Sequence, residues 1–231
     1  MTEFAGNRQN VDFSDPKTVI LADLICQKTN IIPSKILVVG CGKGLEAAIL
    51  AQHLSSSVTG IDIDANFDAR ARRFADLRYG DATKMEFDDE SFDFVYSFHA
   101  LEHIPDFRAA LHEMRRVLSC DGSWMIGTPN RNRIIGYLGS KDASLQEKLH
   151  WNFTDWNAML RGRFRNELGA HAGYTKEELR GELANVFSEV TDITLDYYRD
   201  VYSSKRGFIE AVARIGVASW LFPCVYFLGR R

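Results

Sequence analysis

The chain has 231 residues, 45% of them apolar and 26% charged, with a formal net charge of −3. That is enough apolar material for one large core, and the mildly acidic balance offers no basic face to a nucleic acid. Cys26, Cys41, Cys120 and Cys224 form no C-x-x-C pair. They read as reduced thiols of a cytoplasmic chain, and Met1 to Asn10 lacks the basic-then-apolar pattern of a secretion signal.

In chain order, Asp15-Pro16 can open a helix whose apolar face is Ile20, Leu21, Leu24 and Ile25. Ile36 to Val39 is a short β-branched run, as in a strand buried on both faces. Gly40, Gly42 and Gly44 follow, then Leu45, Ala48 and Ile49 at helical spacing. Strand, glycine turn and helix make a nucleotide-binding corner, because backbone can approach a ligand closely and a helix N-terminus offers free N–H groups. The third glycine comes one residue earlier than in G-x-G-x-x-G, which counts against a nicotinamide dinucleotide. The next strand, Val58 to Asp64, places Asp62 about twenty residues beyond the glycines, where a carboxylate can accept ribose hydroxyls. Ala65 to Phe74 reads as a short helix with Arg70, Arg72 and Arg73 on a solvated face, and Asp88-Asp89-Glu90 as an exposed loop.

A further strand end carries Gly80-Asp81-Ala82. Phe92 to Ser97 is a fourth strand, followed by Leu101-Glu102-His103-Ile104. The helical spacing of Phe107, Ala110, Leu111, Met114, Val117 and Leu118 predicts a helix that Asp121-Gly122 ends, before a fifth strand over Ser123 to Thr128. Residues 130–174 are irregular and rich in Trp, His and Arg. Thr175 to Glu178 is a capping box for a helix through Val186; Val190 to Tyr198 alternates as a strand, and Cys224 to Gly229 can pair with it. Between them, Phe208 to Leu221 reads as one apolar helix, too short to cross a bilayer. It is taken as core, with contact to a membrane surface through 208–222 as the competing reading.

With these motifs in this order, the chain resembles the class I S-adenosylmethionine-dependent methyltransferases of the type 11 small-molecule group, closely over residues 35–129. The resemblance implies a doubly wound, Rossmann-like α/β fold with a mostly parallel seven-strand sheet and a terminal antiparallel hairpin. The sequence by itself supports about five parallel strands and the hairpin. It implies one domain over 1–231: a core at 30–129, a lid shaping the acceptor pocket at 130–174, and a C-terminal helix and hairpin at 175–231. It also implies S-adenosylmethionine as cofactor, held by Gly40, Cys41, Gly42, Gly44, Asp62, Ile63, Asp81, Ala82 and Ser97, and a small-molecule acceptor, with sugar or lipid-linked intermediates leading. Val38 stands where the family carries an acidic residue.

A sulfonium methyl needs alignment more than covalent help, plus a base if the acceptor is a hydroxyl. His99 and His103 lie just past the fourth strand; His99 is the candidate base, with an acid limb expected near an imidazole pKa of about 6.5. Two other activities are open to this sequence. One is a non-methylating protein of the same fold. The other is a zinc hydrolase through His99-x-x-Glu102-His103, with Glu177 or Glu178 as a third ligand, although Pro105 denies that motif its long helix.

Overall fold

The computed structural model describes residues 15–137, 143–168 and 171–231; the reading of Met1 to Asn10 lies outside them. Helix α1 (Pro16–Thr29) starts after Asp15, whose carboxylate accepts from the Thr18 hydroxyl at 3.1 Å, and buries Leu21, Leu24 and Ile25. Strand β1 (Lys35–Val39) leads through the glycine turn into α2 (Leu45–Leu54), and β2 (Ser57–Asp62) and β3 (Asp76–Tyr79) follow. Next come β4 (Phe92–Phe98), α3 (Phe107–Val117), β5 (Leu118–Pro129), α4 (Leu145–Leu160), α5 (Lys176–Val186) and β6 (Glu189–Asp192). Helices α6 (Thr194–Val201), α7 (Arg206–Arg214) and α8 (Ala218–Leu221) precede β7 (Cys224–Arg230).

The strands form one sheet in the order β3-β2-β1-β4-β5-β7-β6. The first five are parallel, and β7 runs antiparallel between β5 and β6. Successive strand residues point to opposite faces, so each face has its own core. Ile36, Val38, Phe94 and Tyr96 pack with α1, α2, α6 and α7, while Leu37, Val39 and Val95 pack with α3 and α5. Strand order reverses between β1 and β4, and ligands of such sheets bind at that point, beyond the carboxyl ends of the strands.

Four local expectations differ from the structure. Ala65 to Phe74 is no helix; a single 3-10 turn forms at Ala71–Arg73. Asp62, Asp64 and Asp68 each accept from the backbone N–H two residues on, at 2.9, 3.0 and 2.7 Å, which satisfies the backbone without a helix. The fifth strand starts at Leu118, directly after α3. An irregularity between the Phe92–Leu118 and Phe94–Ser123 pairs absorbs Asp121-Gly122. The strand expected over Val190 to Tyr198 ends at Asp192; Ile193, Thr194, Tyr197 and Tyr198 are all buried, a helical rather than an alternating pattern. Its antiparallel pairing with the last strand holds, and α6, α7 and α8 lie in the connection between the two. The helix expected over Phe208 to Leu221 is divided between α7 and α8 at Gly216, whose φ of +78° suits glycine.

Candidate active site

The glycine turn is tied down by its own backbone: Gly40 and Cys41 both donate to the Ile61 carbonyl, at 2.9 and 3.0 Å. Its glycines do different work. A Cβ on Gly40 would lie 2.2 Å from that of Ala100, so Gly40 packs the turn against the segment after β4. Gly42, at φ +52°, has no heavy atom within 4 Å of a built Cβ, and that open space is where a ligand can meet bare backbone. Asp62 closes the turn, accepting from Gly42 N at 2.7 Å through one oxygen and from Asp64 N at 2.9 Å through the other. Burial, followed by the Asp62 charge, pushes the Cys41 thiol up to about 12, so this residue serves the turn as a packed, neutral group.

At the next strand end, Asp81 accepts twice from Thr83 through one oxygen, at 2.8 Å each, and these bonds hold its carboxyl below the usual range. Ile63 is 71% exposed beside Asp62, an apolar surface of the kind an adenine ring covers, whereas Ala82 is buried. Ser97 is 1% exposed and its hydroxyl finds no partner among the described residues. The residues present fit S-adenosylmethionine. Asp62 would take the ribose, Asp81 and Ile63 the adenine, and the open Gly42 backbone the centre of the molecule.

Beyond the ends of β4 and β5 lies a cavity of about 820 Å³, within the range that small ligands occupy. His99, Glu102, Tyr137, Trp151, Tyr198 and Cys224 are among its lining residues, and Glu46 of α2 joins it to the glycine turn. His99 sits at φ +53°, in the left-handed region that non-glycine residues adopt only occasionally. Its Nε2 is 3.6 Å from Cys224 Sγ, and its Nδ1 is 3.6 Å from Glu102 Oε1. The Glu102 side chain is 1% exposed, and its second oxygen has no hydrogen-bond partner among the described residues. Burial works against the charged imidazole and the charged thiolate, but each stabilises the other. His99, helped also by Glu102, is held above its usual range and Cys224 below. His103 reaches Glu102 at 4.0 Å and stacks edge-on with His171 at 4.7 Å. His171 lines the cavity; exposed His150 does not.

Burial raises the Glu46 carboxyl to about 7, with the His99 charge and the Tyr96 hydroxyl opposing. Tyr96 is the register partner of Val38, so Glu46 supplies a carboxylate on the face where Val38 has none. Sequence reasoning missed Glu46 and Cys224. Glu46 lay in plain sight in the first turn after the glycines, but Cys224 comes from the far end of the chain and carries no motif.

The segment after β5 rests on Arg133, 4% exposed. It pairs with Asp155 at 3.0 Å and donates to the carbonyls of Asn130, His171 and Ala172 at 3.1, 2.8 and 3.1 Å. Tyr137 donates to the same Asp155 oxygen at 3.1 Å. The H-x-x-E-H residues fall on a strand end and a 3-10 turn, Leu101–His103, and Glu178 is engaged by its capping box and by Arg131. Among the described residues no group of three or more His, Cys, Asp or Glu is arranged to hold a metal ion.

Residues 37–126 match the family model described as a methyltransferase domain. Demethylmenaquinone methyltransferase of Staphylococcus epidermidis is 37% identical over 97 residues, which is 38% of this chain and 40% of that protein. Ubiquinone biosynthesis O-methyltransferase of Alkalilimnicola ehrlichii is 29% identical over 173 residues, 70% of this chain and 69% of that one. The chain spans well under half of several curated relatives it matches, 38%, 26% and 40% of their length. Among solved structures, phosphoethanolamine N-methyltransferase 2 of Haemonchus contortus, in complex with phosphomonomethylethanolamine and S-adenosylhomocysteine, shares the fold. Its TM-score is 0.57 at 17% identity, covering 91% of this chain and 52% of that one. Its ordered motifs, its sheet and these likenesses mark residues 37–126 as a methyltransferase domain, set in the fold of the class I S-adenosylmethionine-dependent methyltransferases.

Proposed function

We propose that the chain transfers the methyl group of S-adenosylmethionine to a small-molecule acceptor, with sugar or lipid-linked intermediates the leading class, by in-line displacement. The observation that carries this reading is the cavity of about 820 Å³ that adjoins the glycine turn through Glu46 and holds a histidine–thiol pair. The cofactor, when bound, supplies an activated methyl. The chain's own residues do the rest. Asp62, Asp81 and the Gly40–Gly44 backbone fix the adenosyl part, and Glu46 faces the ammonium of the amino-acid end.

Tyr137, Trp151 and Tyr198 wall the cavity and exclude water, so that orientation can supply a large part of the rate, up to about 7–11 kcal/mol. The acceptor's proton goes to the His99–Cys224 pair. Each charge stabilises the other, so the thiol is held below and the imidazole above its usual range, the pair takes up the proton together, and Glu102 steadies the imidazolium. His103 orders the turn and packs on His171. The acid limb of the rate profile then belongs to the pair rather than to an isolated imidazole near about 6.5.

The test is to incubate purified protein and methyl-labelled S-adenosylmethionine with metabolite and lipid extracts. Labelled product and released S-adenosylhomocysteine are expected by mass spectrometry. Binding of the cofactor with no labelled product from any extract would favour the non-methylating reading. Tighter binding of NAD than of S-adenosylmethionine would overturn the assignment of the cofactor corner.

A further inference from the structure

Helix α4 is turned the wrong way round for a protein in water. Its inward face is polar and held in place by hydrogen bonds. Asn152 accepts from Gly136 N at 2.7 Å and donates back to the Gly136 carbonyl at 3.2 Å, and Asp155 takes the buried Arg133 and Tyr137. The outward face carries Leu145, Leu149, Phe153, Trp156 and Leu160, spaced by 4, 4, 3 and 4 residues along one stripe, and 73%, 59%, 66%, 40% and 89% exposed. Rolling the helix to hide the stripe would strand Asp155, Arg133 and Asn152, so the outward apolar face is built in. At 16 residues it is about 24 Å long. It continues across Ile134, whose carbonyl accepts from the Trp156 indole at 2.6 Å and whose N–H donates to the Trp220 carbonyl at 2.8 Å. Ile134 is 49% and Trp220 54% exposed.

We propose that this face docks on an anionic phospholipid surface. Two features select that occupant. The stripe is aliphatic and aromatic without a charge in it, as in helices that lie in the headgroup region. The chain leaving α4 then presents Arg161, Arg163 and Arg165, all exposed, a local positive cluster on a protein whose net charge is −3. Trp151, on the side of the same helix away from the stripe, and nearby Tyr137 line the cavity, so docking leaves α4 between the cavity and the lipid. Delivery of a lipid-linked acceptor to that cavity rests on the methyl-transfer reading; the docking itself does not. The surface differs from the 208–222 segment: Phe222 and Ile209 of that segment are buried, and Trp220 adjoins the stripe through Ile134.

Co-sedimentation with vesicles decides it, using phosphatidylcholine alone and phosphatidylcholine mixed with phosphatidylglycerol. The chain is expected to pellet with the mixed vesicles, less so as salt is raised. Leu149→Gln with Phe153→Gln is expected to weaken binding by about ten-fold or more. Replacing Arg161, Arg163 and Arg165 by Gln is expected to weaken it by about five-fold per arginine. Calorimetric binding of S-adenosylhomocysteine serves as the folding control and should be unchanged in both variants. Absence of binding by the unaltered chain overturns the proposal, as does equal binding by the stripe variant. A concentration-dependent dimer abolished by the same two substitutions would overturn it too, assigning the stripe to a second copy. Failure of the chain to bind S-adenosylhomocysteine while it still pellets would sink the methyl-transfer reading and leave the docking intact.

Discussion

Replacing Glu46 by Gln tests the cofactor corner through a group the structure has set at an unusual point. The Glu46 carboxyl rises from 4.5 to about 7, chiefly through burial. Between those two values the folded chain keeps a proton that the unfolded chain has released. The stability this contributes is full below about 4.5 and is lost as pH rises through about 7. At 1.36 kcal/mol per unit the whole rise amounts to about 3 kcal/mol, and solvent reaching a half-buried side chain reduces it to about 1–2 kcal/mol. Glu46→Gln has no proton to lose. Relative to the variant, the wild-type Tm should therefore fall by about 2–8 °C between pH 5 and pH 8. A cofactor ammonium beside Glu46 favours the ionised form. S-adenosylmethionine should thus bind the wild type more tightly at pH 8 than at pH 6, with proton release, whereas the variant should bind about ten-fold more weakly and without that pH dependence. Scanning calorimetry over pH and titration calorimetry in two buffers measure both. Parallel Tm curves for the two proteins, or equal affinities, would refute the reasoning.

The remaining expectations address other parts of the site. Asp62→Ala removes the acceptor for Gly42 N together with the two proposed ribose contacts, each worth about 1.5–3 kcal/mol, so cofactor affinity should drop by at least about 10²-fold; unchanged calorimetry would remove Asp62 from the site. Cys224 should react with iodoacetamide faster than Cys26, Cys41 or Cys120 at neutral pH, since only its thiol is pushed down. His99→Gln should abolish that advantage and slow methyl transfer by about 10²-fold with little change in cofactor affinity; peptide mapping that shows equal labelling in both proteins would dissolve the pair. Asp155→Ala leaves Arg133 buried without its partner, at a cost of about 3–5 kcal/mol. Its sign is a lower Tm or early protease cleavage within 143–165, and neither appearing would mean that α4 is held otherwise.

The parts of this protein legible in its sequence are those in which a local pattern has one physical solution. Ile36 to Val39 can be buried on both faces only as an inner strand, and Gly40, Gly42 and Gly44 can turn into a helix at positive φ where other residues resist. The amphipathic α3 and the Thr175–Glu178 capping box formed as their spacing required. Short stretches whose pattern has two solutions were settled by neighbours. The Asp62, Asp64 and Asp68 turns replaced a helix with side-chain hydrogen bonds, and burial of Ile193, Thr194, Tyr197 and Tyr198 against the sheet made α6 out of an alternating run.

The sequence by itself determined the parallel sheet, the glycine turn and the carboxylates Asp62 and Asp81, because each follows from residues adjacent in the chain. Only the tertiary structure decided the chemistry of the cavity and the orientation of α4. Cys224 meets His99 across 125 positions because β7 inserts beside β5, and each supports the other's charge against the cost of burial. The apolar side of α4 faces outward because Arg133, buried below it, binds Asp155 on its other side. A helical stripe in a sequence says that one face is apolar; which way that face points depends on the charges that the rest of the chain has placed beneath it.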